Sequence, residues 1–275
     1  MRRRRESQRV LISSAPALCA ACVVIGLCAC SCGGVPLAGP PKLFTVPLAI
    51  EGTSIGSALL DTGGGYELML RDHFGLEVID TVEVLAFTGR ESVDLVGGFN
   101  YRAGDVQTVA DAAIVGVSVC DCNGVGYRFF RKTGVVLGID FTRDVAGFFM
   151  RVPEQGISLA FAETPDYMST FDSVFVDLEV ALPDRTVRVP ALVDTGASGT
   201  LIAAELLAEV FDAGDRVAVT LHHEDLGTVA VRAQVFDNPE LPQVIVGTDV
   251  MPLWADRWYF SFAPVGGNVT LSLPR

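Results

Sequence analysis

Apolar residues come in short runs along most of this chain, interrupted every few positions by glycine, proline or polar turn residues. Phe44 to Ile50 and Ile55 to Leu60 are too short for stable helices. The turn residues Glu51-Gly52-Thr53 join them, so they predict a β-hairpin. Val174 to Leu182, the turn Pro183-Asp184-Arg185 and Thr186 to Val193 predict a second one. With 28 glycines and 14 prolines in 275 residues, strands and turns are expected throughout. One stretch differs: in Ala203 to Val210 the leucines recur at helical spacing and Gly214 lies just beyond, which predicts a helix. Arg71 to Gly75 reads as a single turn.

Both hairpins run into the same phrase. Ala58-Leu59-Leu60-Asp61-Thr62-Gly63 is matched by Ala191-Leu192-Val193-Asp194-Thr195-Gly196, with the aspartates 133 positions apart. A carboxylate at the end of a core strand needs a specific partner. Its duplication predicts that Asp61 and Asp194 face each other. Such a pair can share one proton, leaving one base and one acid, the apparatus for activating a water against an amide. A second phrase is also duplicated, Val135-Val136-Leu137-Gly138-Ile139-Asp140 and Val244-Ile245-Val246-Gly247-Thr248-Asp249. Gly147 to Met150 then matches Arg257 to Phe260, and Ile157 to Leu159 matches Val269 to Leu271. A single Asp-Thr-Gly is a common turn, but four phrases in repeated order imply two equivalent lobes.

These phrases resemble the aspartic proteases of the pepsin and retropepsin clan, over roughly residues 43 to 273. The resemblance implies an all-β fold of two pseudo-symmetric acid-protease-type β-barrel lobes around a central cleft, with few short helices. It implies aspartic endopeptidase activity with Asp61 and Asp194 catalytic, and Thr62, Gly63, Thr195 and Gly196 supporting the dyad. The Thr62 and Thr195 hydroxyls would brace the two loops. Gly138 and Gly247 would lie beneath them in a psi-shaped crossing of strands. No cofactor is implied. Since both halves lie in one chain, a monomer acting on a peptide or protein is expected. One departure stands out: after Asp-Thr-Gly the second copy reads Ala197-Ser198, but the first reads Gly64-Gly65, which removes a possible hydroxyl donor to Asp61.

Asp61 to Gly138 spans 77 positions against 53 from Asp194 to Gly247, so lobe one is expected to carry an insertion, placed at Cys120 to Tyr127. In the resembling family a middle hairpin closes over the cleft as a flap. Ala86 to Arg90, with Phe87, Thr88 and Gly89, is the candidate here, and Leu221 to Asp225 its counterpart; either could equally be an ordinary hairpin turn. The expected boundaries are a signal peptide at 1–29, a tether at 30–42, lobes at 43–162 and 174–275, and a linker at 163–173.

The amino terminus is basic at Arg2 to Arg5 and Arg9, then apolar from Val10 to Leu27, the pattern of an export signal. Leu27-Cys28-Ala29-Cys30 resembles the bacterial lipoprotein signal, which makes Cys30 the lipidation candidate and implies an anchor at the cell-envelope membrane. An uncleaved apolar anchor is the alternative. The net charge is −13, and losing this arginine-rich segment makes the remainder more acidic, which disfavours nucleic acid and anionic lipid as partners. Cys120-Asp121-Cys122 could close a tight disulfide, or one member could bond elsewhere. No cysteine and histidine cluster has metal-ligand spacing, so no metal is expected. His73, His222 and His223 read as solvated loop positions, and Asp140 and Asp249 as caps of the following turns.

Two rival readings come from other classes. Asp61 to Gly65 also resembles the phosphate loops of actin-like ATPases and sugar kinases, a fold needing several long helices that the apolar pattern does not offer. The other rival is a peptide-binding module of the protease fold with weak or no catalysis.

Overall fold

A computed structural model describes residues 22–24, 42–86, 89–117, 121–152, 156–160, 174–262 and 270–274. Cys30, Cys32, Phe87, Thr88, Cys120 and the linker at 163–173 lie outside these ranges. The fold is all-β and two-lobed, with few short helices.

Lobe one contributes β1 (Cys22–Val24), β2 (Thr45–Ile50), β3 (Thr53–Asp61), β4 (Leu68–Leu70), β5 (Val78–Ala86), β6 (Gly89–Val96), β7 (Phe99–Ala103), β8 (Val106–Ala110), β9 (Ala113–Val115) and β10 (Asn123–Gly126). They form one sheet in the order β1-β5-β6-β9-β4-β10-β3-β2-β7-β8. Strand β1, inside the predicted signal, pairs in parallel with Val84 to Ala86. Helix α1 (Tyr127–Thr133) follows, then β11 (Val136–Asp140), β12 (Val145–Phe149) and β13 (Gly156–Ala160). Lobe two comprises β14 (Phe175–Ala181), β15 (Thr186–Val193), β16 (Leu201–Ala203), β17 (Arg216–His223), β18 (Gly227–Phe236) and β19 (Val244–Val246), which close into a six-stranded barrel ordered β14-β15-β19-β16-β18-β17. Helix α2 (Met251–Trp254), β20 (Arg257–Ser261) and β21 (Thr270–Pro274) complete the chain.

Both predicted hairpins form, as β2–β3 and β14–β15. Alternation then decides which faces are buried. In β7, Phe99, Tyr101 and Ala103 point inward and Asn100 and Arg102 outward. In β17, Val217, Val219 and Leu221 point into the barrel. Strands β11, β12, β13, β20 and β21 form a five-stranded sheet drawn from both lobes, with β11 against β20. Helix α1 adds a second junction, since Phe130 stacks on Phe262 at 5.1 Å and Tyr127 meets it edge-on at 5.2 Å.

The two lobes share one strand order. The run β9-β4-β10-β3-β2-β7 of lobe one corresponds to β18-β16-β19-β15-β14-β17 of lobe two. This correspondence corrects three expectations. The strand lying parallel to Ala58–Asp61 is β10, with Gly126 opposite Asp61, just as Val244–Val246 lies parallel to Ala191–Val193. The lobe-one partner of Gly247 is therefore Gly126. Gly138 instead sits in β11 of the interlobe sheet, opposite Tyr259. It follows that residues 123–126 are core strand rather than insertion. The extra length of lobe one lies in the hairpin β5–β6, which has no equivalent between β16 and β17. Finally, β17 pairs with β14 as β7 pairs with β2, so the hairpin at Leu221 to Asp225 corresponds to the β7–β8 turn and not to a second flap.

The predicted helix at Ala203 to Val210 does not form. Leu201 to Ala203 are taken into the barrel alongside β18, and Ala204–Leu206 make one 3-10 turn before the chain extends again at Leu207. Leu206 and Leu207 already pack against the core from here, while Val210 is 99% exposed, so continuing the helix would add little apolar burial, and so short a segment does not repay nucleation without it.

Candidate active site

Each Asp-Thr-Gly ends a buried strand at the junction of the lobes, where the carboxylates meet. Two threonines lock the loops together by reciprocal hydrogen bonds. The Thr62 hydroxyl donates to the Val193 carbonyl (2.8 Å) and accepts from the Thr195 amide (3.0 Å). The Thr195 hydroxyl donates to the Leu60 carbonyl (2.7 Å) and accepts from the Thr62 amide (3.1 Å). Each hydroxyl thus satisfies two backbone groups of the opposite lobe, and all four partners are buried. Breaking one bond would leave a buried donor or acceptor unpaired, at about 1–3 kcal/mol each.

The glycines are required by proximity. A Cβ on Gly63 would lie 2.5 Å from the Asp194 carboxyl carbon, and one on Gly196 would lie 2.8 Å from that of Asp61. Beneath the loops, a Cβ on Gly126 would lie 2.4 Å from the Tyr66 carbonyl oxygen. One on Gly247 would lie 2.5 Å from the Gly199 carbonyl oxygen. These are backbone neighbours that cannot turn aside.

The carboxylates are not equivalent. Asp61 Oδ1 accepts from the Gly64 amide (2.7 Å) and Oδ2 from the Tyr66 hydroxyl (2.6 Å). Asp194 Oδ1 accepts from the amides of Gly196 (2.7 Å) and Gly63 (3.3 Å). Asp194 Oδ2 is buried and accepts from no protein donor. Burial pushes the pKa of both aspartates upward. For Asp61 that rise is opposed by its donors, Tyr66 foremost, whereas for Asp194 the neighbouring Asp61 charge adds to it and the rise is large. The two carboxyl groups are immediate neighbours: a Cβ on Gly196 would lie 2.8 Å from Asp61 Oδ1 and 3.1 Å from Asp194 Oδ1. With donors on both oxygens of Asp61 and none on Asp194 Oδ2, the surroundings favour the ionised form at Asp61 and the protonated form at Asp194.

Asp194 is raised in the fold, so its contribution is full below the ordinary carboxylate range and is lost as pH rises through the raised value. Each unit of the rise corresponds to about 1.4 kcal/mol. Asparagine cannot ionise and is the size of the protonated acid. The melting temperature of Asp194→Asn is therefore expected to exceed that of the wild type by about 3 °C or more above neutrality. The difference should vanish near pH 4. Thermal melts of both proteins from pH 4 to pH 9 check this.

The hairpin β5–β6 straddles the junction. Val84 and Ala86 pack against Tyr66 in lobe one, while Leu85, on the opposite face of the strand, is buried among lobe-two residues including Ala197, Leu201 and Phe236. Arg90 Nε reaches Glu240 at 3.0 Å, and Asn238 Nδ2 donates to the Ala86 carbonyl at 3.5 Å. The ion pair is exposed and contributes little; the burial of Leu85, about 2 kcal/mol, holds the hairpin more firmly. Of the flap candidates, Gly89 begins β6 and Phe87 and Thr88 lie outside the described residues. In this arrangement Asp61 and Asp194 are both 0% exposed.

The remaining candidates lie apart from the dyad. Asp140 accepts from the Thr142 and Arg143 amides and pairs with Arg257, and Asp249 accepts from the Thr200 hydroxyl. His73 contacts Asp94, and His222 and His223 end β17. Cys122 is disulfide-bonded. Among the described residues no cluster could hold a metal ion, and no helix is long and apolar enough to cross a membrane. Two residues of the site are not foreseen as such from the sequence: Tyr66, and Gly126, which falls in the stretch expected to be an insertion; the helix that follows Gly126, as α2 follows Gly247, is the signal that locates the second. Comparison with known proteins adds no assignment, for no family model matches the chain and no curated protein matches its sequence.

Proposed function

We propose that this chain is an aspartic-type endopeptidase of the pepsin and retropepsin clan, complete as a monomer. The observation that carries the reading is the enclosed pair Asp61 and Asp194, with the Gly63 amide donating across the lobes to Asp194 and the two loops cross-braced by Thr62 and Thr195. Ionised Asp61 takes a proton from a water held between the carboxyls. Protonated Asp194 donates to the scissile carbonyl oxygen, giving a tetrahedral diol and no acyl-enzyme. Substrate enters when the β5–β6 hairpin lifts and withdraws Leu85 from lobe two. Export and lipid anchoring through Cys30 place the activity at the cell envelope. One digestion of a complex peptide library between pH 3 and pH 8, with and without a statine-type transition-state mimic, tests the reading. Cleavage abolished by the mimic is the expected result, and an undigested library at every pH overturns it.

A second reading is favoured by one observation, the complete enclosure of the dyad. A peptide-binding module of the same fold would hold ligands without turnover. Binding of the mimic together with an undigested library would select that reading. The phosphate-loop alternative fits poorly, because the helices of the described residues are α1 of 7 residues and α2 of 4.

A further inference from the structure

The first Asp-Thr-Gly lacks a hydroxyl at Gly64, yet Asp61 does not lack a hydroxyl donor. Tyr66, two residues on and 2% exposed, turns its ring beneath the loop and donates to Asp61 Oδ2 at 2.6 Å. The slot for that ring is built from glycine. A Cβ on Gly64 would lie 2.4 Å from the ring Cε1, and one on Gly124 would lie 2.3 Å from the phenol oxygen. In lobe two the same three positions are Ala197, Gly199 and Ile245, since Gly124 stands opposite Leu59 as Ile245 stands opposite Leu192. Lobe one thus has Gly, Tyr and Gly where lobe two has Ala, Gly and Ile. The large side chain has moved from the crossing strand to the loop, and in doing so has brought a hydroxyl to one aspartate only. The counterpart oxygen, Asp194 Oδ2, has no protein donor.

The surroundings leave the phenol no other task. Met69, Val84, Ala86, Val93, Ile114 and Val117 enclose it with apolar groups. Glu67, the next residue, faces away to Tyr101 (2.9 Å) and Lys132 (3.1 Å). The titratable groups at the site are Asp61, Asp194 and Tyr66 itself. Burial and the Asp61 charge push the Tyr66 pKa far above its ordinary value, so it stays a donor throughout the range in which the dyad titrates.

We propose that Tyr66 is a positioning residue that polarises the dyad, its hydroxyl holding Asp61 as the ionised, water-activating member and leaving the proton to Asp194. The proposal rests on the peptidase reading for its catalytic meaning, but its physical content is the titration of Asp61. Tyr66→Phe keeps the ring in its slot and removes only the donor. Loss of a hydrogen bond to a carboxylate disfavours the charged form, so the lower step of the dyad rises. In protein carrying carbon-13 in its aspartate carboxyls, followed by NMR from pH 2 to pH 9, that step is expected to move up by about one pH unit in Tyr66→Phe. The acid limb of the pH–rate profile should move with it, and kcat should fall about tenfold with KM nearly unchanged. An unmoved lower step in a variant that melts like the wild type overturns the proposal, as does a loss confined to KM. The carboxyl titration needs no turnover. If the wild type cleaves nothing but the step moves, the peptidase reading fails and Tyr66 keeps its role; if it cleaves and the step stays, the reverse holds.

Discussion

Asp61→Asn and Asp194→Asn are each expected to lower kcat by about a thousandfold or more, with the fold retained. Neither change alters side-chain size, and the threonine brace uses none of the carboxyl oxygens. What each removes differs. In Asp61→Asn the water loses its base, because an amide cannot accept the proton. In Asp194→Asn the scissile carbonyl loses its acid. Since water activation and carbonyl protonation belong to one concerted step, removing the second partner after the first has little left to remove. The double variant is therefore expected to be no more than a few-fold worse than either single one. The wild-type rate should trace a bell whose limbs belong to the pair. Burial raises both groups, Asp194 most, so the alkaline limb lies well above the ordinary carboxylate range and the acid limb closer to it. Steady-state kinetics of the four proteins across pH measure all of this. A single variant retaining a tenth of the wild-type kcat would exclude the shared-proton mechanism.

The dyad was legible in the chain because the two copies are identical where chemistry constrains them. Asp, Thr and Gly each have a fixed neighbour in the other lobe, so neither copy could drift. The hairpins leading into them were legible for a simpler reason, since period-two burial and short turns survive any change of loop. The crossing strand was not. Val135-Val136-Leu137-Gly138 matches Val244-Ile245-Val246-Gly247 far better than Asn123-Gly124-Val125-Gly126 does, yet it is the latter that lies beside Asp61. Tyr66 explains the mismatch. Its ring occupies the volume that Ile245 fills in lobe two, which empties position 124 to glycine and erases the apolar run by which the strand would be recognised. The helix sequence Tyr127 to Thr133, closed by Gly134 at φ 66° after Arg131 and Lys132, carried the compensating signal. The failed helix at Ala203 to Val210 shows the opposite error, a local spacing overruled when the barrel claimed its first residue.

Replacing Gly126 by alanine is expected to cost about 3 kcal/mol or more and to abolish activity, while Gly138→Ala should cost about 1 kcal/mol or less and leave activity largely intact. At Gly126 the new methyl would meet two carbonyl oxygens, of Tyr66 at 2.4 Å and of Gly64 at 2.6 Å. Both belong to the loop that carries Asp61 and positions its donors. Relief requires moving that backbone, and with it the Gly64 amide and the Tyr66 hydroxyl, so overpacking and loss of hydrogen bonds act together. Gly247→Ala meets the Gly199 and Ala197 carbonyl oxygens at 2.5 and 2.8 Å and should behave in the same way from the other lobe. At Gly138 the obstruction is instead side chain, Phe149 at 2.4 Å and Tyr259 at 2.9 Å. Phe149 is 39% exposed and can swing outward, the buried Tyr259 has to give only a few tenths of an ångström, and the added methyl reduces the freedom of the unfolded chain. Denaturant midpoints for the three variants, with kcat/KM beside them, decide the matter. A severe loss at 138 with tolerance at 126 would mean that the strand beneath Asp61 is β11 after all, and the lobe correspondence on which the site is built would fall with it.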